Sequence, residues 1–129
     1  MLKGSDPAAL AAAFAQVNGL EAGGGTDPYG GLAAAIQALQ PDKDDGTIYT
    51  CLPAIVAMTD GASDMVNYDE FQQIRDQSGF GKDVPSHVIA FGAADMSQLT
   101  ALTTGSIGRL FSAGTDLAGA LRQAKGYNR

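Results

Sequence analysis

The sequence has no tryptophan and only one cysteine among its 129 residues. Because Cys51 stands alone, an internal disulfide and a zinc site built on several thiolates are both excluded. Alanine supplies 22 of the residues that count as hydrophobic, and glycine adds 17 more residues. A chain of this length is expected to form one domain with a modest core, and its small side chains suit close packing of helices on a sheet.

Basic residues are also scarce, with 8 against 14 acidic residues and a net charge of −6. This balance argues against a nucleic-acid backbone or an anionic membrane as the partner. The longest apolar run near the N-terminus, Ala8 to Ala15, is mostly alanine and follows Ser5, Asp6 and Pro7 rather than a basic segment. It predicts neither a signal peptide nor a membrane span. The compartment therefore stays open: cytoplasmic, or extracytoplasmic as part of a longer protein.

Three segments are predicted to be strands because β-branched and large apolar residues run together between turn residues. They are Leu52 to Thr59, Val84 to Phe91 and Ile107 to Ser112. A helical pattern follows each strand, over Tyr68 to Gln77, Met96 to Thr104 and Asp116 to Lys125. This alternation of strands and helices predicts an α/β fold with a parallel sheet.

Capping residues mark the expected starts of two of these helices. Asn67, with Glu70 three residues later, has the spacing of a capping box. Asp95 is the expected N-cap of the next helix, with Gln98 at its third position.

Two more helices are predicted upstream of the first strand, with no strand between them. The first begins at Asp6 and Pro7 and carries Leu10, Phe14 and Val17 on one face.

The second upstream helix begins at Asp27 and Pro28 and is expected to end at Pro41, before an acidic loop that reaches Gly46. Five helices are more than a parallel sheet of three strands can easily cover. We therefore expect the sheet to be incomplete on its N-terminal side.

A glycine-rich segment, Gly23 to Pro28, leads into the second helix. Such loops can hold phosphates on free backbone N–H groups. The P-loop, however, needs a lysine after its last glycine, whereas Gly30 is followed by Gly31 and Leu32. A dinucleotide fingerprint would need a preceding strand, for which the sequence has no room. A flexible linker with a helix cap remains the simpler interpretation.

Asp60 follows directly after the first predicted strand. Ligands of open α/β sheets bind at the carboxyl ends of the strands, so a carboxylate here is a candidate functional group. The alternative is that Asp60 only caps the turn that follows. A phosphoacceptor role would favour a lysine after the next strand, but Phe91 is followed by Gly92 and two alanines.

Taken in order, four segments resemble the von Willebrand factor A domain. They are Gly-Gly-Thr entering a helix, Met-Thr-Asp-Gly ending a strand, the strand Val-Ile-Ala-Phe-Gly, and Thr-Gly-Ser-Ile-Gly-Arg-Leu-Phe near the end. The resemblance runs from about Leu20 to Asn128. It implies a three-layer, doubly wound, mostly parallel sheet of Rossmann-like type. Residues 1–129 would form a single partial domain of this fold.

The family carries a metal-ion-dependent adhesion site built from three loops. The resemblance places its second-loop threonine at Thr26 and its third-loop aspartate at Asp60. Such oxygen ligands suit Mg²⁺ or Mn²⁺, with a partner's carboxylate completing the shell. The first loop should be Asp-x-Ser-x-Ser after the first strand, and this sequence contains none. We therefore expect an incomplete site whose binding of Mg²⁺ or Mn²⁺ is weak or absent.

The missing first loop also fits the small sheet, and we interpret the chain as a fragment or natural short form of such a domain. In the family the first strand lies beside the strand that here is Leu52 to Thr59. Its absence leaves an open sheet edge, which predicts a homo-oligomer or a partner strand at that edge.

The sequence thus predicts a protein-interaction module of adhesion type with a degraded metal site. The alternative is a ligand-free structural fragment that folds through homo-oligomerisation. We do not expect an enzyme, because no nucleophile stands beside a base in a convincing context. His87 lies within a predicted strand and is expected to be a hydrogen-bonded structural residue. Cys51 is expected to be a small buried hydrophobe.

Overall fold

The computed structural model describes residues 5–21, 23–50, 53–60, 67–104 and 107–125. Its elements, in chain order, are α1 (Pro7–Asn18), α2 (Pro28–Ala38), α3 (Gln40–Asp44), a 3₁₀ turn (Thr47–Tyr49), β1 (Ile55–Thr59), α4 (Tyr68–Gln77), β2 (Ser86–Ala90), α5 (Met96–Thr103), β3 (Leu110–Ser112) and α6 (Leu117–Ala124). The fold is therefore mixed α/β, as the alternation of strands and helices predicts.

Four of these helices begin at an aspartate whose carboxylate accepts hydrogen bonds from the first turn. The four N-caps are Asp6, Asp27, Asp95 and Asp116. Each carboxylate satisfies backbone N–H groups that have no partner inside the helix. In α1 and α2 a proline follows the cap, where its missing N–H costs nothing.

The three strands form a parallel sheet in the order β1-β2-β3. Ile55 pairs with Ser86, and Val88 pairs with Leu110. Among the described residues, β1 pairs with β2 alone and so lies at one edge of the sheet.

One face of the sheet carries the larger core. Val88 and Ala90 of β2 point to this face, and Ile55 and Ala57 of β1 pack against the same cluster. The largest buried side chains here come from α2, α4, α5 and β2, and they are Tyr29, Leu32, Ile36, Phe71, Leu99, Leu102 and Val88. Burial of one such large side chain contributes roughly 1.5–3 kcal/mol.

The opposite face is covered by α6, but only in part. Ile89, Phe91 and Phe111 pack with Ala120 and Ala124 of α6 in a small second cluster. The β1 residues on the same face, Val56 and Met58, are 36% and 44% exposed. Within the described ranges, β1 is therefore covered on one face only.

Helix α1 buries no residue. Its predicted apolar stripe is present but faces solvent, with Phe14 67% exposed and Val17 61% exposed. No helix in the described ranges combines the length and the apolar character that crossing a bilayer requires.

Prolines shorten the predicted strands. Leu52 lies outside the described residues, and β1 starts only after Pro53, which has no N–H to donate to a ladder. In β2 the ladder starts after Pro85, whose carbonyl still accepts from the Ile55 N–H at 2.9 Å.

The third strand begins at Leu110 rather than Ile107, whose side chain is 66% exposed.

Helix α4 has the predicted bounds, but one other helix boundary and the predicted capping box of α4 are wrong. Pro41 does not begin a loop, because it lies in the first turn of α3, where proline is tolerated. Asn67 is not a capping-box residue: its φ is 69° and its side chain makes no bond to the first turn of α4. Its amide is used in a tertiary contact with Asp27 instead.

Candidate functional site

Asp60 lies at the carboxyl end of β1, as predicted, and its side chain is exposed. Gly92, just beyond β2, approaches it closely: a Cβ on Gly92 would lie 3.4 Å from the Asp60 Cβ and 3.5 Å from the Asp60 carbonyl oxygen. Gly92 also has a φ of +62°, a conformation that favours glycine. The ends of β1 and β2 thus lie side by side, and the φ of Gly92, rather than a lack of space, favours glycine there.

Thr26 is exposed and stands directly before Asp27, the N-cap of α2. The two Asp27 carboxylate oxygens have different partners. Oδ1 accepts from the Gly30 N–H at 2.9 Å, and Oδ2 accepts from the Asn67 Nδ2 at 2.7 Å. A side chain at Gly30 would collide with this carboxylate. Asp27 is therefore occupied in holding the start of α2 against the start of α4.

The two predicted metal ligands stand next to elements that share one groove, although neither lines it. Pro28 and Thr59 line one groove, so the start of α2 lies near the carboxyl end of β1. Thr26 and Asp60 each lie within two residues of that groove.

The donor set of this region is small. In the described part of the chain, no three Asp, Glu, His or Cys side chains are grouped as a metal site would need. Mg²⁺ takes six oxygens, so Thr26 and Asp60 form at most part of a shell. Residues 61–66, which include the Ser63 and Asp64 of the segment after Asp60, lie outside the described ranges, as does Cys51.

A second feature lies along β1. A groove of about 310 Å³ runs between this strand and α2. Its lining is almost entirely apolar and includes Gly31 and Ala35 of α2 with Ile55, Val56 and Met58 of β1. The small α2 residues leave room beside the edge of β1 that no other described strand pairs with.

His87 is hydrogen-bonded, as predicted. Its Nδ1 accepts a hydrogen bond from the Arg109 N–H at 3.2 Å, and its ring packs edge-on against Phe111 at 5.7 Å between centroids. Burial lowers the pKa of His87 below its usual value, and the Arg109 charge lowers it further. The neutral ring therefore ties β2 to the segment that precedes β3.

Sequence reasoning missed one residue and one long-range contact that position this region. Tyr29 is fully buried and packs edge-on against Tyr68, with ring centroids 5.0 Å apart. Its spacing from Leu32 and Ile36, i, i+3 and i+7, is a helical core signal that could have revealed it. The Asn67 contact with Asp27 joins residues 40 positions apart, and no local pattern indicates it.

A scan against models of known protein families finds no match, and a search of curated proteins finds none either. The resemblance to the von Willebrand factor A domain therefore rests on the sequence motifs alone.

Proposed function

We propose that this chain is a protein-interaction module of von Willebrand factor A type that receives a partner along the free edge of β1. The observation that carries the proposal is this edge: a parallel strand that, within the described residues, is paired on one side only and is bordered by an apolar groove. Parallel strands usually lie inside a sheet, covered on both faces and paired on both sides. An extended partner segment would supply the missing neighbour.

The backbone of β1 suits this role. The Ile55 N–H donates inward, to the Pro85 carbonyl at 2.9 Å. Because N–H groups alternate in direction along a strand, those of Val56 and Met58 point to the free edge. A partner strand could accept from both, while its side chains enter the groove beside Gly31 and Ala35. Backbone bonds would supply affinity, and the groove would supply selectivity.

The family resemblance is supported by the order and position of its motifs. The Gly-Gly-Thr segment precedes α2, Asp60 ends β1, and Gly92 ends the neighbouring strand beside Asp60. In this interpretation Thr26 and Asp60 are remnants of an adhesion-type metal site, which could bind Mg²⁺ or Mn²⁺ only weakly. Partner binding at the β1 edge does not depend on that metal.

The metal part of the proposal is tested by titration calorimetry with Mg²⁺ and Mn²⁺. We expect no binding in the micromolar range and no difference between the parent chain and Asp60→Ala. Asp83→Ala, which removes another exposed carboxylate, is the control. Micromolar binding that Asp60→Ala abolishes and Asp83→Ala preserves would show an intact metal site instead of a degraded one.

The partner part is tested by selecting extended peptides from a displayed library on the immobilised chain. Met58→Lys places a charge at the β1 edge, and Met96→Lys places the same charge on α5 from a methionine of nearly equal exposure, 43% against 44%. We expect selected peptides to lose binding to Met58→Lys and to keep binding to Met96→Lys. Equal binding to both variants would contradict an interaction at this edge.

A second candidate function is structural, with homo-oligomerisation through the same edge. It is favoured by the composition of β1, Ile-Val-Ala-Met-Thr, which has no charge to prevent two copies from pairing. Sedimentation velocity over a wide concentration range tests it. We expect a dimer that Met58→Lys weakens and Met96→Lys preserves, and a monomer at all concentrations would contradict it.

A further inference from the structure

The geometry points to an exchanged helix: α1 of one copy packs on the uncovered face of β1 in a second copy. This inference rests on the self-association considered above and specifies how its interface is built. It concerns two apolar surfaces, the α1 stripe and the Val56–Met58 face of β1, each of which lacks a covering element in the described part of the chain.

The first surface is well formed. The Asp6 carboxylate caps α1 by accepting from Ala8 and Ala9 at 3.0 and 3.1 Å. The helix has 12 residues and none is buried. Helices of this length are marginal in water alone and owe most of their stability to packing of an apolar face. Packing of the exposed stripe of Phe14 and Val17 against another apolar surface would therefore stabilise α1.

The second surface, the Val56–Met58 face of β1, matches α1 in length. Helix α6 packs over β2 and β3 and leaves Val56 and Met58 exposed beside it. A second helix next to α6 would complete this layer. At 1.5 Å per residue α1 is about 18 Å long, and at 3.3 Å per residue β1 is about 17 Å long.

Interface area favours a second copy as the source of this helix. Two paired five-residue strands bury only roughly a few hundred Å² in total, well below the roughly 1,200 Å² typical of a stable interface. One buried aromatic such as Phe14 adds roughly 150–250 Å². Under two-fold symmetry every contact of α1 occurs twice. Reciprocal packing of α1 therefore adds buried area to the strand-edge contact and brings the total closer to the area of a stable dimer interface.

The connection to α2 permits the exchange. Between α1 and α2 the chain includes Gly23, Gly24 and Gly25, and Gly24 has a φ of +82°. A Cβ at Gly23 or Gly24 would meet nothing within 4 Å, so this segment is not packed against the rest of the fold. Helix α1 can therefore extend away from its own sheet.

The test uses the full chain and two charge substitutions on α1. Phe14→Lys charges the apolar stripe, and Ala12→Lys puts the same charge on the opposite side of the helix. We expect Phe14→Lys to weaken dimerisation in sedimentation velocity by roughly tenfold or more, as loss of a buried aromatic anchor does, and Ala12→Lys to have little effect. Equal dimerisation of both variants and the parent would overturn the exchange while leaving edge pairing intact.

A fluorescence measurement locates the helix independently. The chain has no tryptophan, so Phe14→Trp introduces a single indole. We expect its emission to shift to shorter wavelength as concentration rises, and Met58→Lys in the same chain to remove the shift. An emission that stays solvent-like in a demonstrated dimer would overturn the exchange, and so would a concentration-independent short-wavelength emission, which would place α1 on its own sheet.

Discussion

The two faces of the sheet are packed to very different extents. On one face α2, α4 and α5 enclose a core in which Tyr29, Leu99 and Val88 have no exposed surface. On the other face α6 covers β2 and β3 with a small cluster, and β1 is left with Val56 and Met58 exposed. The first face thus holds the chain together, and the second leaves apolar surface available for contact with another molecule.

Among tests of the difference between the two faces, Leu99→Ala is expected to give the largest loss of unfolding free energy. Leu99 is fully buried on the covered face, so its truncation should lower the free energy of unfolding by about 2–5 kcal/mol. Met58→Ala, on the open face, should change it by no more than about 0.5 kcal/mol. Urea unfolding of dilute protein measures both. Similar losses for the two variants would break the distinction between the faces.

A smaller difference in unfolding free energy is expected between loss of the Asp27 cap of α2 and loss of the Asp6 cap of α1. Asp27→Ala removes both the cap of α2 and the contact with Asn67, and it should cost about 1–2 kcal/mol of unfolding free energy. Asp6→Ala removes the equivalent cap from α1, which buries nothing, so the cooperative transition of dilute protein should not move. A matching loss for Asp6→Ala in urea unfolding would mean that α1 belongs to the packed fold of the single chain.

The smallest expected effect is a pH dependence on the less covered side. Because the folded pKa of His87 is lowered, the folded chain favours the neutral ring. This contribution to stability is complete above the ordinary histidine pKa of 6.5 and is lost as the pH falls from there toward the folded pKa. Unfolding free energies at pH 7.5 and pH 5 should differ more in the parent than in His87→Gln. An unchanged difference would show that the ring does not respond.

Local signals in the sequence predict most of the elements. Asp6 and Asp27, each followed by proline, mark helix starts because capping depends on neighbouring residues only. Runs of apolar residues locate all three strands, and only their ends shift. The first two strands start after Pro53 and Pro85, and the third starts at Leu110 rather than Ile107. The parallel arrangement follows from the alternation of strands and helices.

Tertiary contacts explain what local signals miss. Asn67 has the spacing of a capping box, yet its amide binds Asp27, so a distant partner overrides the local pattern. The position of Asp60 at a strand end is predictable, but its closeness to Gly92 depends on the register of two strands. The exposure of α1 is also not local information, since its stripe resembles that of a helix packed in a core.

The pairing of β1 with β2 also has a consequence for folding kinetics. Ile55 pairs with Ser86, and the segment between these two residues contains the whole of α4. The ladder between β1 and β2 can therefore form only when this segment closes into a loop. Parallel pairing of this kind must close a long loop first and is slow. During that delay both edges of an uncharged strand are open. Refolding yield should therefore fall as protein concentration rises, even for a chain whose native state is stable.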